Sequence, residues 1–372
     1  MPVYIHHIET AVPPTSYRQD YVRDFMKAHT QGDRRTGSLL HRVYSHSGIE
    51  KRHSVIEDLR PEVENLMFFQ RNGSPDSLET PSTAKRNRIY TEQSKPMFTG
   101  LAQKVIDRTE GIEAKDITHV ITVSCTGFYA PGPDYFIVRQ LGLRPSTRRF
   151  HIGFMGCYAA FPAIRLAKNI CESEPNASVL IVCLELCSLH FKFSDVLDLI
   201  VSGSVFADGA AGLIVSGQTP SNLENTYEVK GLETTLTETG EDDMAWTIGD
   251  NGFEMVLSSY VPRIIKENIR GVVRPLFNAY GMDKADVAHW ALHPGGRAIV
   301  DKAEQSLELD DQAFRHSRKV LANYGNMSSA TVLFVLKEIL RTPPNTTSEP
   351  TLGMAFGPGL TIESGLFLRN PA

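Results

Sequence analysis

DITHVITVSCTG (residues 116–127) and DVAHWALHPGG (residues 286–296) read as two copies of one pattern. Each runs aspartate, a β-branched residue, a small residue, histidine, a large apolar residue, then a strand-like stretch that ends in glycine. The second copy starts 170 residues after the first. Two further pairs keep nearly the same spacing. GCYAAFPAIRLAKNI (156–170) is echoed by GNMSSATVLFVLKEI (325–339), and SVLIVCLE (178–185) by TLGMAFGP (351–358). Three matches in one order at nearly one spacing imply two related halves.

Each half therefore reads strand, helix, strand. Residues 117–123 and 179–183 are short β-branched runs, as buried strands require. Such strands alternating with helices predict an α/β fold whose sheets are covered on both faces. Packed together, the halves would stack layers of helix and sheet about a pseudo-twofold axis. The polar, turn-rich SGQTPSNLENTYEVK (216–230) places the boundary there, giving halves 1–225 and 226–372. Residues 54–96 are less regular. One helix is expected within them, capped at Ser82 or Thr83 and running through Tyr90.

The 372 residues are 41% hydrophobic and 22% charged, ordinary for a globular chain large enough to bury a sizeable core. A net charge of −5 argues against a nucleic-acid or anionic-membrane partner. No secretory signal and no bilayer-spanning run is read from the sequence. The five cysteines, an odd number, suit reduced thiols and a cytoplasmic setting. Cys183 and Cys187 lack the second pair a zinc site needs, so no metal is expected.

The repeat makes Cys157 and Asn326 equivalent positions, each just before a helix, and His293 closes a strand of the second half before a Pro-Gly-Gly turn. In a two-half fold the three converge. A cysteine at a helix N-terminus is expected to have a lowered pKa, and a nearby histidine can take its proton. Gly156 permits a tight turn and close substrate approach. Taken singly, each has a plainer reading: a buried small hydrophobe, a satisfied core histidine and a helix cap. The Cys–His–Asn order also fits a papain-type protease. That reading fails on the mid-chain cysteine and on FMGCY, which lacks that family's local pattern.

At this point the chain resembles the type III polyketide synthases, the chalcone-synthase-like branch of the thiolase superfamily, and is closest in character to bacterial members. The resemblance covers nearly the whole chain. It rests on GCYAA around Cys157, FADGAAGLIV (206–215), HPGGRAIVD (293–301), YGNMSSATVLFVL (324–336) and FGPGLTIE (356–363). It implies a thiolase-like duplicated αβαβα five-layered fold, a homodimer and a buried site reached by a narrow CoA tunnel. Cofactors are not expected, because acyl-CoA and malonyl-CoA are substrates.

Carried over by residue, the resemblance makes Cys157 the acyl-carrying nucleophile. His293 and Asn326 become the pair that orients malonyl-CoA, promotes its decarboxylation and stabilises the oxyanion. Phe206 matches a gatekeeper phenylalanine. Met255 stands near the second gatekeeper position and departs from the plant pattern. Ala355 replaces a usual glycine and is expected to reshape the cavity wall slightly. Cys125, Thr126, Cys187, His190, Ser202, Trp246 and Ser328 fall where the family lines its cavity. Lys51 and Arg52 fall where it places cations near the CoA phosphates.

The implied chemistry is iterative decarboxylative condensation from an acyl-CoA starter, ending in cyclisation. SCTGFYAPGPDY (124–135) and MAWTIGDNGFEMVLS (244–258) resemble bacterial members, some of which make alkylpyrones or alkylresorcinols from fatty acyl starters. The alternatives are a 3-oxoacyl-[acyl-carrier-protein] synthase III-like enzyme that condenses once, and a non-catalytic partner subunit on a thiolase fold. The intact Cys157, His293 and Asn326 argue against the second.

Overall fold

The computed structural model describes residues 1–71, 78–258 and 260–371. Nine strands form one mixed sheet system. Its order is His289–Leu292, Glu349–Gly357, Thr361–Arg369, Tyr227–Leu236, Tyr4–Ala11, Asp208–Ser216, Ser178–Leu186, His119–Ser124 and Arg148–Gly153. The first four strands belong to the second half and the other five to the first. They join where Tyr4 and Ile5 pair with Glu228 and Tyr227. The repeat is visible in the pairing. His119–Ser124 runs parallel to Ser178–Leu186 as His289–Leu292 runs parallel to Glu349–Gly357.

Strand alternation sends each sheet's side chains into two different cores. Ile121, Val123, Ile181 and Cys183 face a central core shared with Ala355 and Phe367 of the other half. Helices Ala160–Ser173 and Thr331–Leu340 fill that centre. Val120, Leu180, Val182 and Ile214 face outward onto helix Thr83–Asp107. Trp290, Leu352, Met354 and Ile362 face outward onto helices Val261–Tyr280 and Arg297–Leu307. Helix, sheet, helix, sheet, helix is the five-layered thiolase-like arrangement expected from the sequence. Residues buried on both faces explain why these strands read as continuous apolar runs.

The helix expected to end at Tyr90 instead continues to Asp107, 25 residues in all. Polar residues and Pro96 suggested a stop. Pro96 is accommodated inside the helix, and the Thr99 hydroxyl donates to the Lys95 carbonyl 3.0 Å away. Burial of Phe98, Leu101, Ala102 and Val105 against the first sheet carries the helix past the local break. Part of the irregular 54–96 stretch, residues 72–77, lies outside the described residues.

Candidate active site

Cys157 lies in a one-turn 3-10 helix, Gly156–Tyr158, which leads into helix Ala160–Ser173. The approach is tightly wound. Phe154 and Gly156 both have positive φ, 59° and 78°. A Cβ on Gly156 would lie 2.5 Å from Pro358 Cδ, so the FGPG loop closes over the nucleophile turn only because 156 is glycine.

Asn326 comes from the other half, at the matching helix entrance. Its backbone is bridged to Phe206, with Asn326 N donating to Val205 O and Ala207 N donating to Asn326 O, both at 2.8 Å. Its side-chain Oδ1 accepts from Ser328 N at 2.8 Å, and Nδ2 donates to Gly295 O at 3.3 Å. That network orients the amide and leaves Cys157 Sγ 3.9 Å from Oδ1 and 4.0 Å from Nδ2. His293 follows strand His289–Leu292 and anchors by its N–H to Met354 O at 2.7 Å. Neither of its ring nitrogens has a hydrogen-bond partner, and the residue is 1% exposed.

One cavity gathers all three. It encloses about 1300 Å³ between its wall atoms, open mouth included, and is also lined by Phe206, Cys125, Thr126, Cys187, His190, Ser202, Trp246, Met255 and Ser328. Several of these polar groups are already committed. Thr126 Oγ1 donates to Glu185 at 2.9 Å, Trp246 Nε1 donates to Cys125 O at 2.8 Å, and Ser202 Oγ donates to Leu199 O at 3.1 Å. His190 Nδ1 accepts from Phe253 N at 3.0 Å, so Nε2 carries the proton it gives Thr126 O at 2.8 Å. With burial pulling its pKa down to about 3, His190 is a neutral strut.

Three expectations are corrected. Burial pushes the Cys157 thiol up to about 11, against hydrogen bonds from Ser328 and Asn326, and pulls His293 down to about 3. Each group taken alone is therefore neutral at pH 7, because desolvation outweighs the local donors. Arg52 is buried, 6% exposed, and its Nη1 donates to Gly203 O at 2.7 Å and to Phe206 O at 2.8 Å. It braces the Phe206 turn from inside instead of facing solvent as a phosphate ligand would. Lys51, its neighbour, is exposed. Ala355 packs in the central core, and the cavity wall is made by Phe356 and Pro358 beside it.

Two features escaped the sequence reading. Glu185 is fully buried behind the cavity, where its carboxylate accepts from Cys125 N, Thr126 Oγ1 and Ser329 Oγ. Burial raises its pKa while these donors lower it. The signal was an acid inside the apolar run SVLIVCLEL, a place where charge survives only with partners. The second is a set of apolar residues among the cavity's lining, Tyr17, Val22, Ile56, Leu59, Phe191 and Leu199. Its residues come from five separate segments, so nothing local announced it.

A thiol, a neutral imidazole and a carboxamide, gathered at the junction of two thiolase-like halves, define a condensing enzyme of the thiolase superfamily. Comparison with known proteins narrows this. The family description "Chalcone and stilbene synthases, N-terminal domain" matches residues 2–220, and its C-terminal counterpart matches residues 229–370. The chain belongs to this family, the type III polyketide synthases, whose chemistry is decarboxylative condensation on CoA thioesters.

The alpha-pyrone synthesis polyketide synthase-like Pks18 of Mycobacterium tuberculosis is 32% identical over 330 residues, covering 88% of this chain and 81% of the relative. Among solved structures, PKS-I of the brown alga Ectocarpus siliculosus aligns with a TM-score of 0.88 at 28% identity, over 99% of this chain and 98% of that one. The C-terminal type III domain of Steely1 from Dictyostelium gives 0.88 at 27% identity, over all of both chains. The 1,3,6,8-tetrahydroxynaphthalene synthase of Streptomyces coelicolor gives 0.86 at 27% identity, over 99% of each. Among the described residues, no helix is long and apolar enough to cross a membrane.

Proposed function

We propose that the chain loads an acyl-CoA starter on Cys157, extends it repeatedly with malonyl-CoA and cyclises the product. The observation that carries this is the convergence of Cys157, Asn326 and His293 on one largely apolar cavity. In the loading step, His293 takes the thiol proton as Sγ attacks the thioester carbonyl, and CoA leaves as its thiol. His293 suits the task because its ring nitrogens are unpaired and its resting state is neutral.

Malonyl-CoA then binds, and its C–C bond to the carboxylate breaks. Carbon dioxide departs, and the electron pair becomes an enolate whose oxygen meets N–H donors of Asn326 and His293. A buried site makes those hydrogen bonds stronger than water would. The enolate carbon attacks the Cys157 thioester, and the cysteine leaves as thiolate. The product is an extended β-ketoacyl-CoA, ready to reload.

An aliphatic starter fits best. Tyr17, Val22, Ile56, Leu59, Phe191 and Leu199 supply apolar cavity lining against which an alkyl chain can pack. The relative named for alpha-pyrone synthesis favours a pyrone product. Lys51 is our candidate for the CoA phosphates, being exposed and one residue from the cavity-lining Arg52. We also assign a homodimer. Strand Arg148–Gly153 is the outer edge of the sheet, and exposed Phe128, Tyr135 and Phe150 lie on or near it.

The test is to incubate the protein with malonyl-CoA and acyl-CoA starters from short to long, plus aromatic ones, and to read products by mass spectrometry. Cyclised products of several extensions, absent with Cys157→Ala, are expected. Single-extension products only, or silence with every CoA starter, would overturn the reading.

A further inference from the structure

Arg86 stands outside the cavity, is 1% exposed and forms no ion pair with a carboxylate among the described residues. The comparably buried Arg369 differs, since its Nη1 lies 3.0 Å from Glu349 Oε2. An unpaired buried guanidinium is costly, and desolvation pulls the Arg86 pKa down to about 10. An apolar residue would avoid that cost but would leave the backbone carbonyls that Arg86 meets without a donor, so what those carbonyls position decides its role.

Two of those contacts hold the segment that carries one wall of the cavity. Arg86 Nη1 donates to the carbonyls of Leu189 and Phe191, the two neighbours of His190, and Nε donates to Pro81 O at 2.8 Å. The guanidinium lies 5.0 Å above the Phe68 ring. His190 stacks on Phe253 at 4.2 Å with an interplanar angle of 16°, and meets Trp246 edge-on at 5.2 Å. Trp246 and Phe253 belong to the hairpin Met244–Gly249 and Gly252–Leu257. Arg86 also touches that hairpin. A Cβ on Gly252 would lie 2.8 Å from Arg86 Nε, so the turn rests directly on the guanidinium.

Thr83, one helical turn earlier, holds the same turn. Its N–H donates to Asp250 O at 2.8 Å, its Oγ1 accepts from Gly252 N at 2.7 Å, and its hydroxyl donates to Gly249 O. The first turn of helix Thr83–Asp107 thus grips both elements that carry the aromatic wall, and the rest of the helix is packed on the first sheet.

We infer that Arg86, with Thr83, is a positioning residue that fixes the His190, Trp246 and Phe253 wall and thereby sets how long a chain the cavity holds. The chain-length part rests on the iterative condensation proposed above; the positioning part does not. Only a planar fork can meet Leu189 O, Phe191 O and Pro81 O together, so lysine is not an equivalent replacement.

The experiment compares wild type with Arg86→Lys and Thr83→Val, each labelled with 5-fluorotryptophan. The chain has two tryptophans, so Trp290 serves as an internal control for Trp246. In Arg86→Lys the Trp246 resonance is expected to shift or broaden while Trp290 stays. The ratio of longer to shorter polyketide products should rise at least threefold, with malonyl-CoA decarboxylation within twofold of wild type. A merely structural role would lower all rates together and leave the ratio unmoved. An unchanged Trp246 resonance, or an unchanged product ratio in an active enzyme, overturns the inference. If Arg86→Lys does not fold, Thr83→Val carries the same expectations. If wild type makes no condensation product, the proposed function fails, and the fluorine resonance still decides the positioning role.

Discussion

Cys157 and Asn326, from opposite halves of the duplicated chain, stand 3.9 Å apart, Sγ to Oδ1. The nucleophile and the carboxamide are thus held by two helix entrances 169 residues apart in sequence. Asn326 is fixed by Ser328 N and Gly295 O rather than by the thiol, so it can serve a substrate oxygen while the cysteine carries an acyl group.

Replacing Asn326 by alanine should therefore leave loading intact and slow decarboxylation. Loss of one oxyanion donor costs roughly 100- to 1000-fold. Acyl transfer to Cys157, read by intact-protein mass, should remain measurable, while carbon dioxide release from malonyl-CoA falls by about that factor. Wild-type release would remove the oxyanion role. Cys157→Ala should abolish elongation altogether.

The protonation states give a pH prediction. A thiol near 11 is ionised in only about one molecule in 10,000 at pH 7 unless a base takes the proton. In His293→Ala, alkylation of Cys157 by iodoacetamide should climb roughly tenfold per pH unit from pH 7 through 9, without a plateau. The sign follows from a raised pKa, since reactivity is gained only as pH approaches it from below. Wild type should react at least tenfold faster at pH 7. Equal rates in the two proteins would show that His293 is not the base.

Lys51 and Arg52 are neighbours with opposite fates. Lys51→Ala should raise KM for acyl-CoA severalfold, less so at high salt, and leave stability unchanged. Arg52→Met should lower unfolding stability by about 2 kcal/mol, because the carbonyls of Gly203 and Phe206 lose their donor. Urea denaturation and starter-dependent kinetics separate the two effects.

Leu59 lines the cavity and is 7% exposed. Leu59→Trp should shorten the longest starter accepted, with short starters nearly unaffected. Equal activity on long starters would place the acyl chain elsewhere.

The edge strand offers a test of assembly. Phe150 is 40% exposed on Arg148–Gly153. Phe150→Asp should convert a dimer to a monomer in sedimentation velocity. A wild-type monomer, or a variant that stays dimeric, removes this face as the interface.

By itself the sequence carried the internal repeat and the layered fold, and it singled out Cys157, His293 and Asn326 as candidates for one site. Those follow from local order: β-branched runs, helix-period apolar residues and glycine turns recur at one spacing, and equivalent turns of two halves meet at their junction. It named the cavity-lining positions through resemblance, and one cavity gathers them. It misplaced the end of helix Thr83–Asp107, because Pro96 is a local signal and the burial of Phe98 and Val105 is not. Tertiary structure alone decided that Arg52 is a brace and Lys51 a surface cation, since adjacent residues on a strand face opposite ways into surroundings supplied by distant segments. It alone decided that burial pushes the Cys157 thiol up and pulls His293 down, because a pKa depends on how completely water is excluded. The Glu185 web, the apolar lining of the cavity and the grip of Arg86 on the aromatic wall likewise exist only where segments far apart in the chain are brought into contact.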